Sequence, residues 1–64
     1  MYETYSKIRD AKGMNDYQVS KASGVATATL TSWKKGVYTP KLDKLRKIAA
    51  VLGVTVDDLI EEAS

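Results

Sequence analysis

Four glycines, at positions 13, 24, 36 and 53, cut this chain into stretches of 10 to 16 residues. Within each stretch the apolar side chains recur three or four positions apart, the spacing of one face of a helix. Tyr2, Tyr5, Ile8 and Ala11 form the first such stripe, and Gly13 stops it. Asn15 with Gln18 three residues on has the form of a capping box. It opens a second helix over about Asp16 to Ser23, with Val19 and Ala22 facing inward. Gly24 supplies the left-handed residue of a tight turn, and Val25 follows as an apolar plug. A third helix then runs from about Thr27 to Lys35, with Leu30 and Trp33 as its buried pair. After Gly36 and an extended Val37-Tyr38-Thr39, Thr39 is placed to cap a fourth helix whose first position is Pro40. Its stripe is Leu42, Leu45, Ile48, Ala49 and Leu52, with Lys41, Lys44, Arg46 and Lys47 off that face. Thr55 and Asp58 make a second capping box, opening a short fifth helix with Val56, Leu59 and Ile60 apolar. The expected fold is all-α: five helices with short loops and no strand, forming one domain over residues 1–64.

What the chain lacks narrows its chemistry. A domain of 64 residues buries only about 60% of the surface its unfolded form exposes, so no enzyme-sized cleft is expected. Without cysteine or histidine it has no disulfide, no thiolate metal site and no imidazole acid–base catalyst. An enzyme is therefore not expected, nor a metal, a cofactor or a small-molecule ligand. No apolar run approaches the roughly 20 residues that cross a bilayer. The opening Met-Tyr-Glu-Thr-Tyr-Ser does not read as a signal peptide, so no membrane association and a cytoplasmic location are expected. The net charge of +2 conceals a segregation. Residues 1–47 hold all ten Lys and Arg against four acids, a balance of +6, and residues 48–64 hold four acids and no base. A basic body suits a polyanionic partner.

The stretch from Asn15 to Gly36 resembles the helix-turn-helix of the Cro and phage-repressor family, of the XRE-like type. Val19 stands in the large apolar slot of the first helix, Gly24 in the turn, and Val25, Leu30 and Trp33 follow in step. The likeness continues through Gly36, Thr39-Pro40, Leu42, Leu45, Ile48-Ala49 and Leu52-Gly53-Val54, and ends at Val56-Asp57-Asp58-Leu59. It implies a compact, lambda-repressor-like domain with the helix-turn-helix at about residues 16–35, and double-stranded DNA as partner. The sequence departs from the family at Ser20, where alanine is usual, and at Ser23, where a more apolar residue is common. Ala26 stands where a capping Ser or Thr is usual, so either Thr27 caps one residue later or the third helix starts uncapped. Asp16 occupies a position from which family members often approach a phosphate. A carboxylate there is repelled by DNA, and that contact is not carried over.

On a helical wheel the side opposite Leu30 and Trp33 carries Thr27, Ala28, Thr31, Ser32 and Lys35. Short side chains let a helix approach base edges in a major groove about 12 Å wide. Thr27, Ala28, Thr31 and Ser32 are the expected base-contacting residues. They include no Arg, Asn or Gln, the bidentate readers of guanine and adenine, so base specificity should be modest and weighted towards thymine methyls. Lys34, Lys35, Tyr38, Thr39, Lys41 and Lys44 are the expected phosphate contacts, the last four because the resemblance lays this loop along the backbone. Trp33, Tyr2 and Tyr5 read as packing residues. Asp57, Asp58, Glu61 and Glu62 read as helix-terminal and solvated acids. The resemblance implies a transcriptional regulator, a repressor of phage or mobile-element kind, pairing as a homodimer on two half-sites. The sequence itself does not give the sign of regulation. The uncharged face of the third helix also admits a reading from another class: a protein-interaction module, such as an antitoxin or antirepressor, built on the same fold.

Overall fold

A computed structural model describes residues 2–60. Its helices are α1 (Tyr2–Ala11), α2 (Asp16–Ser23), α3 (Thr27–Lys34), α4 (Leu42–Leu52) and α5 (Val56–Ile60). No strand occurs among the described residues. α1 packs against α5 and α3, α2 against α3 and α4, and α4 against α5. The shared core holds Tyr5, Val19, Val25, Leu30, Trp33, Leu45, Ile48, Ala49, Leu52 and Leu59, with Tyr2, Ile8, Met14, Val54 and Val56 packed at its edge. Among the described residues no helix is long and apolar enough to cross a membrane.

Several positions expected inside lie outside. Ala11 and Ala22 are exposed, so the inward stripes of α1 and α2 are each one member shorter than their spacing suggests. Leu42 is 52% exposed and Ile60 39%. The α4 stripe begins at Leu45 because the helix itself begins late. Its N-cap is Lys41, with no side-chain capping bond, rather than Thr39 with Pro40 in the first turn. Pro40 is buried ahead of the helix. Proline also holds its predecessor in extended conformation, which keeps the chain extended through Thr39. Both capping boxes form as expected. Asn15 Oδ1 accepts the Gln18 amide at 2.8 Å, and Gln18 Oε1 accepts the Asn15 amide at 3.0 Å. Thr55 and Asp58 make the same reciprocal pair, each bond 3.1 Å.

The turn between α2 and α3 is built differently from the other helix exits. After Gly13, Gly36 and Gly53 the next amide reaches back five residues: Met14 to the Arg9 carbonyl, Val37 to that of Ser32, and Val54 to that of Ala49, at 3.0–3.1 Å. This bond closes a helix and folds the chain back over its own last turn. After Gly24 the Val25 amide instead donates to the Ser23 hydroxyl at 3.1 Å. The chain is thereby free to run on into α3 while Val25 drops into the core at 1% exposure. Ser23, a departure from the family pattern, supplies the acceptor that this tight turn needs.

Gly24 has φ +77°, and a Cβ added there meets nothing within 4 Å. The cost of Gly24→Ala is therefore backbone strain alone, about 1–2 kcal/mol. The variant should keep its helical circular dichroism and melt roughly 4–8 °C lower per kcal/mol lost. Loss of the helical signal at room temperature would show that the turn carries more than this strain.

Candidate nucleic-acid interface

α3 is held by one side and free on the other. Leu30 and Trp33 are buried, at 0% and 4% exposure. Thr27, Ala28 and Thr31 are exposed, and Ser32 is partly so. The four expected base-contacting side chains thus share the outward side of one helix. Lys34 ends the helix, Lys35 is its C-cap, and both are exposed. Gly36, at φ +77°, then reverses the chain. The Val37 amide on the Ser32 carbonyl, at 3.1 Å, holds the loop alongside α3. Tyr38, Thr39 and Lys41 are exposed and Lys44 is partly buried. Ala28, Thr29, Ser32, Val37 and Tyr38 line one open depression of roughly 400 Å³. Tyr38, expected on a phosphate, therefore also borders the outward side of α3.

The helix N-termini differ in a way that bears on anions. α2 and α5 close theirs with capping boxes. α3, with Ala26 at its N-cap, and α4, with Lys41, have no side-chain capping bond. Of the two possibilities open at Ala26, the helix starts uncapped. First-turn amides left free of side chains favour negative charge, and these two helices carry all the expected contacts apart from the loop between them.

What fixes α3 relative to α2 is a cluster supplied by α1. The Tyr5 ring stacks on Trp33 with centroids 5.0 Å apart and planes at 30°. Tyr2 meets Trp33 edge-on at 5.6 Å. The same tyrosines reach α2 through their hydroxyls: Tyr5 Oη donates to Asp16 Oδ1 at 2.7 Å, and Tyr2 Oη to Asp16 Oδ2 at 2.8 Å. Arg9 donates to Asp16 Oδ1 at 2.7 Å and also pairs with Asp10 at 2.9 Å. Partial burial pushes the Asp16 carboxyl up, but hydrogen bonds from Tyr5, Arg9 and Tyr2, with the Arg9 charge, outweigh it and hold it below its usual value. Burial, and then the bond to Asp16, hold the Tyr5 phenol well above its usual value. Asp16 is thus an internal fastening, which accounts for a carboxylate at a position that in a DNA-facing role would be repelled.

A helix-turn-helix family model matches residues 6–59, from within α1 almost to the end of α5. The chain belongs to the helix-turn-helix family. It is also 33% identical over 61 residues to the cryptic phage CTXphi transcriptional repressor RstR of Vibrio cholerae. That alignment covers 91% of this chain and 55% of the relative, so the chain spans about half the relative's length. No solved structure is a significant match. For a helix-turn-helix protein the α1 cluster is the part that motif reading missed. Its signal was present: Tyr2, Tyr5 and Arg9 fall on one side of a helix, and a phenol drawn into a core needs an acceptor. Two exposed features were also missed. Val37 is 76% exposed. Tyr17, 61% exposed on α2, holds the Lys21 ammonium 5.6 Å from its ring centroid.

The Asp16 bonds make stability depend on acid. Because the folded carboxyl lies below its ordinary 3.8, its contribution is complete above that pH and is lost as pH falls through the folded value. Asp16→Asn removes the charge from these bonds and should cost about 1.5 kcal/mol at neutral pH. Denaturant titrations between pH 2 and 7 should show a gap between wild type and variant that closes on acidification. A gap of constant size across that range would mean that the charge of Asp16 is not what fastens α1 to α2.

Proposed function

We propose that residues 1–64 act as one double-stranded DNA-binding domain of a transcriptional regulator, with α3 in the major groove. The observation that carries this reading is the outward side of α3: short, uncharged side chains at Thr27, Ala28, Thr31 and Ser32, exposed Lys34 and Lys35 at the helix end, and a rigid aromatic anchor behind. Thr27, Ala28, Thr31 and Ser32 meet base edges. Lys34, Lys35, Tyr38, Thr39, Lys41 and Lys44 meet phosphates and set the register. Regulation is repression of the phage or mobile-element kind, by occupying a promoter and excluding polymerase. The named role of the phage relative supports this. Two copies bind half-sites about 34–36 Å apart. On α5 Leu59 is buried and Val56 partly so, which leaves Ile60 as its exposed apolar residue. Ile60 is the side chain of α5 that pairing would cover.

The interaction-module reading has one observation in its favour, the exposed apolar side chain of Val37 beside an uncharged helix face. Charge reversal separates the two. Lys34→Glu with Lys35→Glu should abolish binding to selected duplexes and leave the melting temperature unchanged. Cellular function surviving that double variant would favour the interaction module. For the wild type, the four lysines among these phosphate contacts predict a log–log salt slope of about −3.6 for each bound copy, at about −0.9 per neutralised phosphate. A flat salt dependence would remove the phosphate contacts from the account. Equal affinity for one half-site and for a palindrome, in a protein that stays monomeric, would remove the pairing.

A further inference from the structure

Among the described residues Val37 is the most exposed of the large apolar side chains, at 76%, and it stands in the loop that leaves the recognition helix. A β-branched side chain in open water gains nothing for the fold. Its position is nonetheless firmly set. Gly36 turns the chain, the Val37 amide is tied to the Ser32 carbonyl at 3.1 Å, and Val37 then borders a depression with Ala28, Thr29, Ser32 and Tyr38. Ala28 and Ser32 belong to the groove-facing side of α3, so this depression opens where α3 meets its ligand. Its apolar lining is the Ala28 methyl, the Val37 isopropyl group and the Tyr38 ring. Exposed Lys34, Lys35 and Lys41 lie in the chain segments on either side of it.

An uncharged and largely apolar lining, in a chain segment flanked by exposed lysines, suits a polyanion that carries an apolar group on its inner side. In the major groove of DNA the apolar group on a base edge is the C5 methyl of thymine. We infer that Val37, with Ala28 and Tyr38, forms a receptor for one thymine methyl per half-site, extending base readout from α3 into the loop that follows it. The inference rests on the DNA-binding reading above. Val37 is a specificity-determining residue outside the recognition helix, and it acts by contact with the methyl alone. It discriminates thymine from cytosine and from uracil at one position and is indifferent to the phosphates.

The test uses duplexes selected by the wild-type chain from a random library. Each thymine is then replaced singly by deoxyuridine, which deletes only the methyl. Wild type should lose about fourfold in affinity at the position that Val37 contacts, the worth of one buried methyl-sized group. Val37→Ala, which should melt like wild type because the side chain is exposed, should bind about fourfold more weakly and show no further loss from deoxyuridine at that position. Losses at other thymines should persist. Lys35→Ala should weaken binding to every duplex alike and leave the methyl effect in place. Unchanged methyl effects in Val37→Ala, or selected sites with no thymine whose methyl matters, would overturn the inference while leaving DNA binding standing. Failure to select any duplex would overturn the DNA-binding reading, and this inference with it.

Discussion

Tyr5 touches both halves of the helix-turn-helix at once. Its ring lies on Trp33 of α3 and its hydroxyl is on Asp16 of α2, and it is fully buried between them. The angle between two short helices joined by a tight turn is not fixed by the turn alone. Here a third helix sets it with one side chain whose two ends make different kinds of contact. The stack is tolerant of small rotations, while the hydrogen bond to a carboxylate is directional. Together they leave α3 little freedom to roll about Leu30 and Trp33, and the side it presents outward is therefore constant.

The same helix removes a charge from play. Arg9, one of the ten bases, is committed to Asp16 and Asp10, so it strengthens the back of the domain and adds nothing to its field at the front. Closure and openness are divided along the same line. α2 and α5 satisfy their N-termini with side chains, whereas α3 and α4 do not. A capping box at either of the latter would place acceptor oxygens, and in the Thr55–Asp58 form a carboxylate, on the surface proposed to face DNA. Stability forgone at two helix starts, about 1 kcal/mol each, leaves amide donors uncommitted at the surface where donors are useful.

Much of this was legible in the chain. Glycine positions, apolar spacing and two capping boxes located all five helices, because each is a local signal whose physical cause lies within a few residues. The buried side of α3 was readable for the same reason. The errors fell where a local rule competes with packing. Thr39-Pro40 has the form of a helix start, yet Pro40 is buried in the preceding loop and the helix begins at Leu42, with no side-chain cap. Leu42 has the right phase for the α4 stripe but stands in its first turn, at the edge of the body. The Asp16 cluster joins residues 7 to 14 positions apart through side-chain tips. No periodicity records such a junction, although three polar-tipped residues on one helix face hinted that an acceptor was needed. Val37 read as loop because exposure cannot be inferred from a residue that the hydrophobic scale places inside.

The composition of the α3 face also constrains how such a domain reaches specificity. On the proposed reading it works without guanidinium or amide readers, whose contacts are worth about 1–3 kcal/mol each, and its lysines meet phosphates, which carry no sequence information. Methyl and hydroxyl contacts each discriminate by only a few-fold. Small factors become useful when they multiply. On the proposed pairing, a tenfold preference per half-site becomes about a hundredfold for two, since free energies add and constants multiply. That multiplication requires each copy to present the same surface in the same register. A rigid junction behind α3 and a loop tied to its end supply this condition. On that proposal the fastening of Trp33 and Asp16 by Tyr5 serves specificity as well as stability, through the constancy of a face whose individual contacts are weak.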